Sequence, residues 1–182
     1  KVVEKFVVEA SSFRLAQSQY FKPHVAAWLN FAPDHLDVHK DLNVYEQAKK
    51  SIWKNVSSTD VAVANIDDDV VRRNLPQGCR TATFGLKDGD SRVENGKIVI
   101  NGTPLLEVSE LARSAPHDIL NALAAATIAA ESGGVFHGIT EVLTNFRGLT
   151  HRMTYLGSAQ GVGWYNDSKS TTPHSVAAAV QG

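Results

Sequence analysis

Apolar and polar positions along this chain fall into two alternating patterns, short β-branched runs and stretches with helical spacing. Residues 5–10, with Phe6, Val7 and Val8 consecutive, predict a buried strand, as do residues 25–31 and 61–66. Residues 11–21, between the first two, predict a short helix and a loop. Val44, Ala48, Ile52 and Val56 recur at helical spacing, predicting a helix over residues 41–56 capped by Asp41 or Asn43. A short helix is expected at 70–75 and a strand at 81–86. Asn95-Gly96 and Asn101-Gly102 separate short apolar runs across 92–108, which predicts a small β meander. Beyond it the pattern turns helical. Residues 116–131 are Ala-rich and 138–146 predict a second helix. Alternation around Gly157 and Gly161 predicts a strand pair over 152–165, and 174–182 a last helix. Strands alternating with helices predict an α/β fold with a mostly parallel sheet. Near residues 148–157 a second α/β unit begins. Both ends, Lys1-Val2-Val3 and Gly182, read as cuts through structure, so the chain is expected to be part of a longer protein.

Composition narrows the partners. Eighteen basic and 19 acidic residues among 182 leave a net charge of −1. No basic stripe favours nucleic acid. No apolar run approaches membrane-span length, and the first residues lack the apolar core of a signal peptide. Cys79 is the only cysteine, so an intramolecular disulfide is impossible and a reducing cytoplasm is expected.

Five groups carry candidate chemistry. Glu9 ends the first predicted strand, where α/β sheets bind ligands, and a carboxylate there suits Mg²⁺; a strand end followed by helix-capping Ser11-Ser12 is the plainer alternative. Asp34, His35, Asp37 and His39 follow the second strand and suit a metal or phosphate site, or only a polar loop. Lys49 lies within a predicted helix, where most lysines are solvated, and nothing local marks it over Lys50. Asn121 lies near the start of the Ala-rich helix, where it would read a base or ribose, or cap the helix. The run Gly148-Leu-Thr-His-Arg-Met and then Tyr165-Asn-Asp-Ser-Lys-Ser-Thr-Thr-Pro places Asp167, Lys169 and Thr171 in a small-residue loop before a helix.

In this order the five groups resemble the Mur ligases, across nearly the whole chain. Glu9-Ala-Ser-Ser-Phe and Asn166-Asp-Ser-Lys-Ser-Thr are most similar to the D-glutamate-adding members. The resemblance implies an ATP-dependent amide ligase of peptidoglycan precursor synthesis. Residues 1–150 would be most of a central ATP-binding domain and 151–182 the start of a C-terminal ligase domain. It implies that Glu9, His35 and Lys49, the last as a carbamate, hold Mg²⁺, and that Asn121, Arg152 and Asp167 contact ATP. His35, Lys49 and Lys169 would serve the chemistry, while Ser11, Lys169 and Thr171 would lie near substrate. The implied substrates are UDP-N-acetylmuramoyl-L-alanine and D-glutamate, for a complete protein that is cytoplasmic and monomeric. Arg14, Asp118 and Thr172 depart from the family's common Gln, Asn and Asn. No Gly-x-x-x-x-Gly-Lys-[Ser/Thr] phosphate loop occurs; the family carries it upstream of the Glu9 strand, so the chain alone is expected to be nearly inactive. Two other readings are a folylpolyglutamate synthetase-like ligase and a noncatalytic nucleotide-binding relative. Asp167-Ser-Lys-Ser-Thr argues against the first, the retained polar groups against the second.

Overall fold

A computed structural model describes residues 4–181, in two compact units, Lys1–Thr81 and Ala82–Gly182. Lys1–Val3 and Gly182, both read from sequence as cut ends, lie outside the described residues.

In the first unit β1 (Val25–Trp28) and β2 (Val61–Asn65) pair in parallel, Val25 opposite Val61 and Trp28 opposite Ala64. Parallel neighbours need a long crossover, and here it carries α2 (Leu42–Lys50), which tightens into a 3₁₀ turn at Ser51–Trp53. Every residue of β2 is buried, as its unbroken apolar run predicts for a strand covered on both faces. Ala26, Trp28, Trp53, Ala62, Ala64 and Val71 form the core, and the Trp53 indole donates to the Ala26 carbonyl at 2.9 Å. Asp41 caps α2 through Val44 N–H, and Ser11 caps α1 (Ser12–Gln17) through Arg14 N–H. Asp68 caps α3 (Asp69–Arg73) through the N–H groups of Val70 and Val71.

Two expectations are corrected. Residues 5–10 form no strand: Phe6, Val7 and Val8 are 82%, 100% and 62% exposed. β-branched residues favour an extended backbone, but a strand also needs a neighbour to exchange hydrogen bonds with. Among the described residues none pairs with this stretch. The second correction concerns α2, where Val44 is exposed and Tyr45 and Ala48 are buried. The inner face is turned by about one residue, because the Tyr45 ring buries more area than the Val44 side chain.

Asp60 leads into β2 and is 1% exposed. Its carboxylate accepts from Ser57 Oγ at 2.7 Å and Ser57 N–H at 2.9 Å, and also pairs with His24 Nδ1 and Lys22 Nζ at 3.2 and 3.3 Å. The Ser57 hydrogen bonds, ahead of His24 and Lys22, hold its pKa well below the usual carboxylate range despite burial. A depressed carboxylate contributes stability above its unfolded value, about pH 4, and loses it as pH falls further. Wild type is therefore expected to lose melting temperature faster than Asp60→Asn between pH 5 and 2, with Asn the less stable at pH 7. Parallel thermal melts check this; equal slopes would remove Asp60 from the acid response.

β3 (Arg80–Phe84) leads from the first unit into the second. There β4 (Arg92–Glu94), β5 (Lys97–Ile100) and β6 (Thr103–Glu107) form the expected antiparallel meander. Asn95-Gly96 and Asn101-Gly102 make its turns, all four residues at positive φ between 50° and 78°, the conformation of tight hairpins. The Ala-rich helix α4 (Pro116–Glu131) starts on a proline and buries Leu123, Ala124, Ala126 and Thr127. Helix α5 (Phe136–Asn145) leads through residues 146–153 to the hairpin β7 (Thr154–Ala159) and β8 (Val162–Asn166). The hairpin carries a bulge between Tyr155 and Gly157. Helix α6 (Pro173–Gln181) follows. Among the described residues no helix is long and apolar enough to cross a membrane.

Candidate functional site

In the first unit, the loop between β1 and α2 brings Asp34 and His35 toward α2. His35 is left-handed (φ 55°), and its N–H donates to Asp34 Oδ1 at 2.8 Å. Its ring Nε2 lies 3.5 Å from Asp34 Oδ2. Asp68 Oδ2 accepts the Phe31 N–H at 2.6 Å, tying the loop to the start of α3. Aromatic rings line this corner. Phe13 meets His35 edge-on at 4.9 Å and stacks on His39 at 5.4 Å. The Tyr45 ring touches those of Phe31, His35 and His39. His39 is buried, with Nε2 2.9 Å from the Ser12 hydroxyl.

Lys49 stands one helical turn beyond Tyr45, its Nζ 5.5 Å from the ring centroid. Burial pushes its amine below the ordinary lysine range, against the opposing pull of Asp34 and Asp68. Burial likewise raises the Tyr45 phenol, helped by Asp34. Lys50, beside it, is exposed. The structure thus separates two lysines that the sequence leaves equivalent. Lysine becomes chemically useful as burial favours its neutral amine, and burial shifts Lys49 in that direction.

Glu9 is exposed in the extended residues before α1, and Ser11 serves as the α1 cap. Among the described residues no three His, Cys, Asp or Glu side chains converge on a metal-sized point. The groups near Lys49 nevertheless fit magnesium in kind. Carboxylates are hard oxygen donors, and a carbamate on Lys49 would add two more oxygens.

The second unit holds a cleft of about 770 Å³ lined by residues including Arg113, His117, Asp118, Met153, Tyr165, Asp167 and Ser170. Asp167 is half-buried there. Its carboxylate accepts the Met153 N–H at 3.1 Å and the Ser170 hydroxyl. Arg113 Nε donates to Asp118 Oδ1 at 2.9 Å. Asn121 and Arg152 are exposed and do not line this cleft. Lys169 is exposed, with its N–H donating to the His151 carbonyl at 3.2 Å. Thr171 lines a separate open groove along α6.

Sequence reasoning missed Tyr45 and Arg113. The signal for the first was available as an aromatic four residues before Lys49, on the same helical face. Arg113, five residues ahead of Asp118 and just before the Pro116 helix start, carried a weaker one.

Residues 1–129 match the Mur ligase middle domain. The chain belongs to the Mur ligase family. It is 38% identical over 178 residues to the UDP-N-acetylmuramoylalanine–D-glutamate ligase of Exiguobacterium sibiricum, a match covering 97% of this chain and 40% of that protein. The enzyme of the same name from Methylococcus capsulatus is 37% identical over 98% of this chain, again 40% of the relative. The chain thus spans about two fifths of the length of these Mur ligases. Among solved structures, MurF from Acinetobacter baumannii superposes with TM-score 0.74 at 23% identity, covering 87% of this chain and 37% of that one. A Thermotoga maritima MurF ligase in complex with ADP gives 0.67 at 20%, covering 87% and 38%. At such identity these likenesses show the fold, an α/β Mur ligase architecture with a parallel sheet, flanking helices and small antiparallel sheets.

Proposed function

We propose that this chain is part of an ATP-dependent ligase that joins D-glutamate to UDP-N-acetylmuramoyl-L-alanine in peptidoglycan precursor synthesis. The observation that carries the reading is the half-buried Lys49 amine beside Tyr45, faced by Asp34 and Asp68, in a chain whose curated relatives bear that name. Residues 1–150 are assigned to the central ATP-binding domain and 151–182 to the start of the C-terminal domain. The complete protein is taken as cytoplasmic, where ATP is available, and monomeric.

The chemistry needs an activated carboxylate. The alanyl carboxylate attacks the γ-phosphoryl group of ATP, ADP leaves, and an acyl phosphate forms. The amine of D-glutamate then attacks the acyl carbon, losing a proton, and phosphate departs. Catalysis is chiefly positioning and charge stabilisation. Asn121, Arg152 and Asp167 are assigned to ATP, and Ser11, Lys169 and Thr171 to substrate. Glu9, His35 and carbamylated Lys49 are the proposed magnesium holders, and bound Mg²⁺ would supply charge neutralisation at the phosphates.

The charge around Lys49 supports linking these last two assignments. Carbamylation turns a cation into an anion beside Asp34 and Asp68, and three anions in one corner repel unless a cation joins them. Carbamate occupancy at Lys49 is therefore expected to rise with Mg²⁺. Carbon-13 NMR with labelled bicarbonate checks this on the 182-residue chain; a carbamate signal indifferent to Mg²⁺ would break the link.

The ligase reading is tested by phosphate release from a full-length protein carrying these residues, given ATP, Mg²⁺ and UDP-N-acetylmuramoyl-L-alanine. Release that requires D-glutamate, and that L-alanine or a diamino acid cannot replace, is expected. Release indifferent to D-glutamate would reject it. The 182-residue chain alone, which contains no phosphate-loop motif, is expected to release almost none.

A further inference from the structure

Residues 148–153, between α5 and β7, carry an unusual amount of backbone strain. His151 and Met153 have φ of 66° and 48°, the left-handed region that side-chain-bearing residues rarely adopt, while Gly148 at 93° enters it freely. Such conformations persist only where the surroundings hold them. Here the holding groups are specific. The Arg152 carbonyl accepts from Arg113 Nη1 at 3.3 Å, and the Met153 N–H donates to Asp167 Oδ1 at 3.1 Å. Those two atoms belong to a single peptide unit, the one joining Arg152 to Met153. A peptide unit is planar, so a cation on its carbonyl and an anion on its N–H fix its orientation and align its dipole between them.

Both charged partners are themselves fixed. Arg113 Nε donates to Asp118 in the first turn of α4, leaving Nη1 to reach the Arg152 carbonyl. Asp167 also accepts from Ser170. Beside them, Lys169 N–H donates to the His151 carbonyl, and the Asn166 amide lies 2.9 Å from His151 Nδ1. Gly148 permits the close approach: a Cβ there would stand 2.6 Å from Arg113 Nη1.

We propose that Arg113 is a positioning residue, whose guanidinium, anchored on Asp118, holds the Arg152–Met153 peptide against Asp167 and so sets where Arg152 and Asp167 stand for the nucleotide. The proposal rests on the assignment of Arg152 and Asp167 to ATP. It also gives Asp118, a departure from the family's usual Asn, a defined task as the anchor of the arginine. Lysine cannot substitute fully, because one ammonium lacks the planar fork that addresses Asp118 and the carbonyl from separate nitrogens.

The test has two readouts. In the 182-residue chain, Arg113→Leu is expected to speed amide exchange at Met153 about tenfold, the cost of a charge-assisted hydrogen bond, while β5 amides keep their protection. Arg113→Lys is expected to fall between. In a full-length protein carrying these residues, Arg113→Leu is expected to raise KM for ATP about tenfold with a smaller change in kcat, as for loss of ground-state positioning, and Lys to recover part of it. Unchanged exchange at Met153 would overturn the latch. Faster exchange with an unchanged KM for ATP would reduce Arg113 to a structural clip and overturn the positioning role. A wild-type protein that turns over no ATP would instead fail the ligase reading, and the nucleotide part of this proposal with it, while the exchange data still decide the latch.

Discussion

Replacing Lys49 by Ala in a full-length ligase carrying this chain is expected to lower kcat by about 10²–10³-fold or more, the usual cost of removing a group that stabilises charge in the transition state. Lys49→Arg separates the two roles open to this side chain. It keeps a positive charge but cannot carry CO₂, so the carbamate role predicts that Arg is as inactive as Ala. Short carboxylates such as acetate or formate, which replace the missing oxygens, are expected to restore part of the Ala variant's activity. The surroundings favour this outcome over a plain ammonium. A lysine serving only as a cation gains from Asp34 and Asp68, yet burial beside Tyr45 outweighs both and lowers its proton affinity. A lowered value enlarges the neutral fraction near pH 7, and only the neutral amine takes up CO₂. Steady-state phosphate release across the three variants, with and without acetate, checks the prediction. Activity retained in Lys49→Arg would eliminate the carbamate.

The largest expected loss of stability comes from Trp53→Ala. Trp53 is 4% exposed, its ring centroid lies 5.4 Å from that of Trp28, and its indole N–H donates to the Ala26 carbonyl. Truncation leaves a cavity under the parallel strands and removes the indole hydrogen bond to a carbonyl of the β1 ladder. The cost is expected at about 3–5 kcal/mol, the range for a large aromatic cut to alanine, out of a total of about 5–15 kcal/mol for a domain. Urea unfolding followed by the remaining tryptophans measures it. Trp53→Phe keeps most of the volume and loses the hydrogen bond, so about 1–2 kcal/mol is expected. Equal losses in Ala and Phe would mean that the hydrogen bond, not the packing, carries the energy.

Where local pattern and tertiary context agree, the chain is legible. The unbroken run of β2, the Asn-Gly turns of the meander and the proline start of α4 each specify their own geometry, and each element forms as expected. Residues 5–10 show the limit. Their side chains favour an extended backbone, but hydrogen-bond partners are a property of other segments, and sequence pattern is blind to them. The turned face of α2 has a related cause. A tally of aliphatic positions gives Val44 weight and treats Tyr45 as polar, whereas the Phe31, His35 and His39 rings make Tyr45 the better residue to bury. The site follows the same division. Motif order singles out Lys49 and Asp167, but the low proton affinity of the one and the Met153 contact of the other depend on groups distant in sequence.

The exposed Phe6-Val7-Val8 stretch has a colloidal consequence. An unpaired β-branched run can zip onto an identical run in a second molecule, and charged neighbours are the usual guard against it. Glu4, Lys5 and Glu9 bracket the run, so in the 182-residue chain Glu9 is expected to restrain self-association, besides being a candidate magnesium holder. Glu9→Ala is then expected to lose soluble protein in the 182-residue chain, and turnover in a full-length protein carrying it. Glu9→Lys keeps a charge beside the run but removes the carboxylate, so light scattering on the 182-residue chain and the activity assay on the full-length protein separate lost monomer from lost metal affinity.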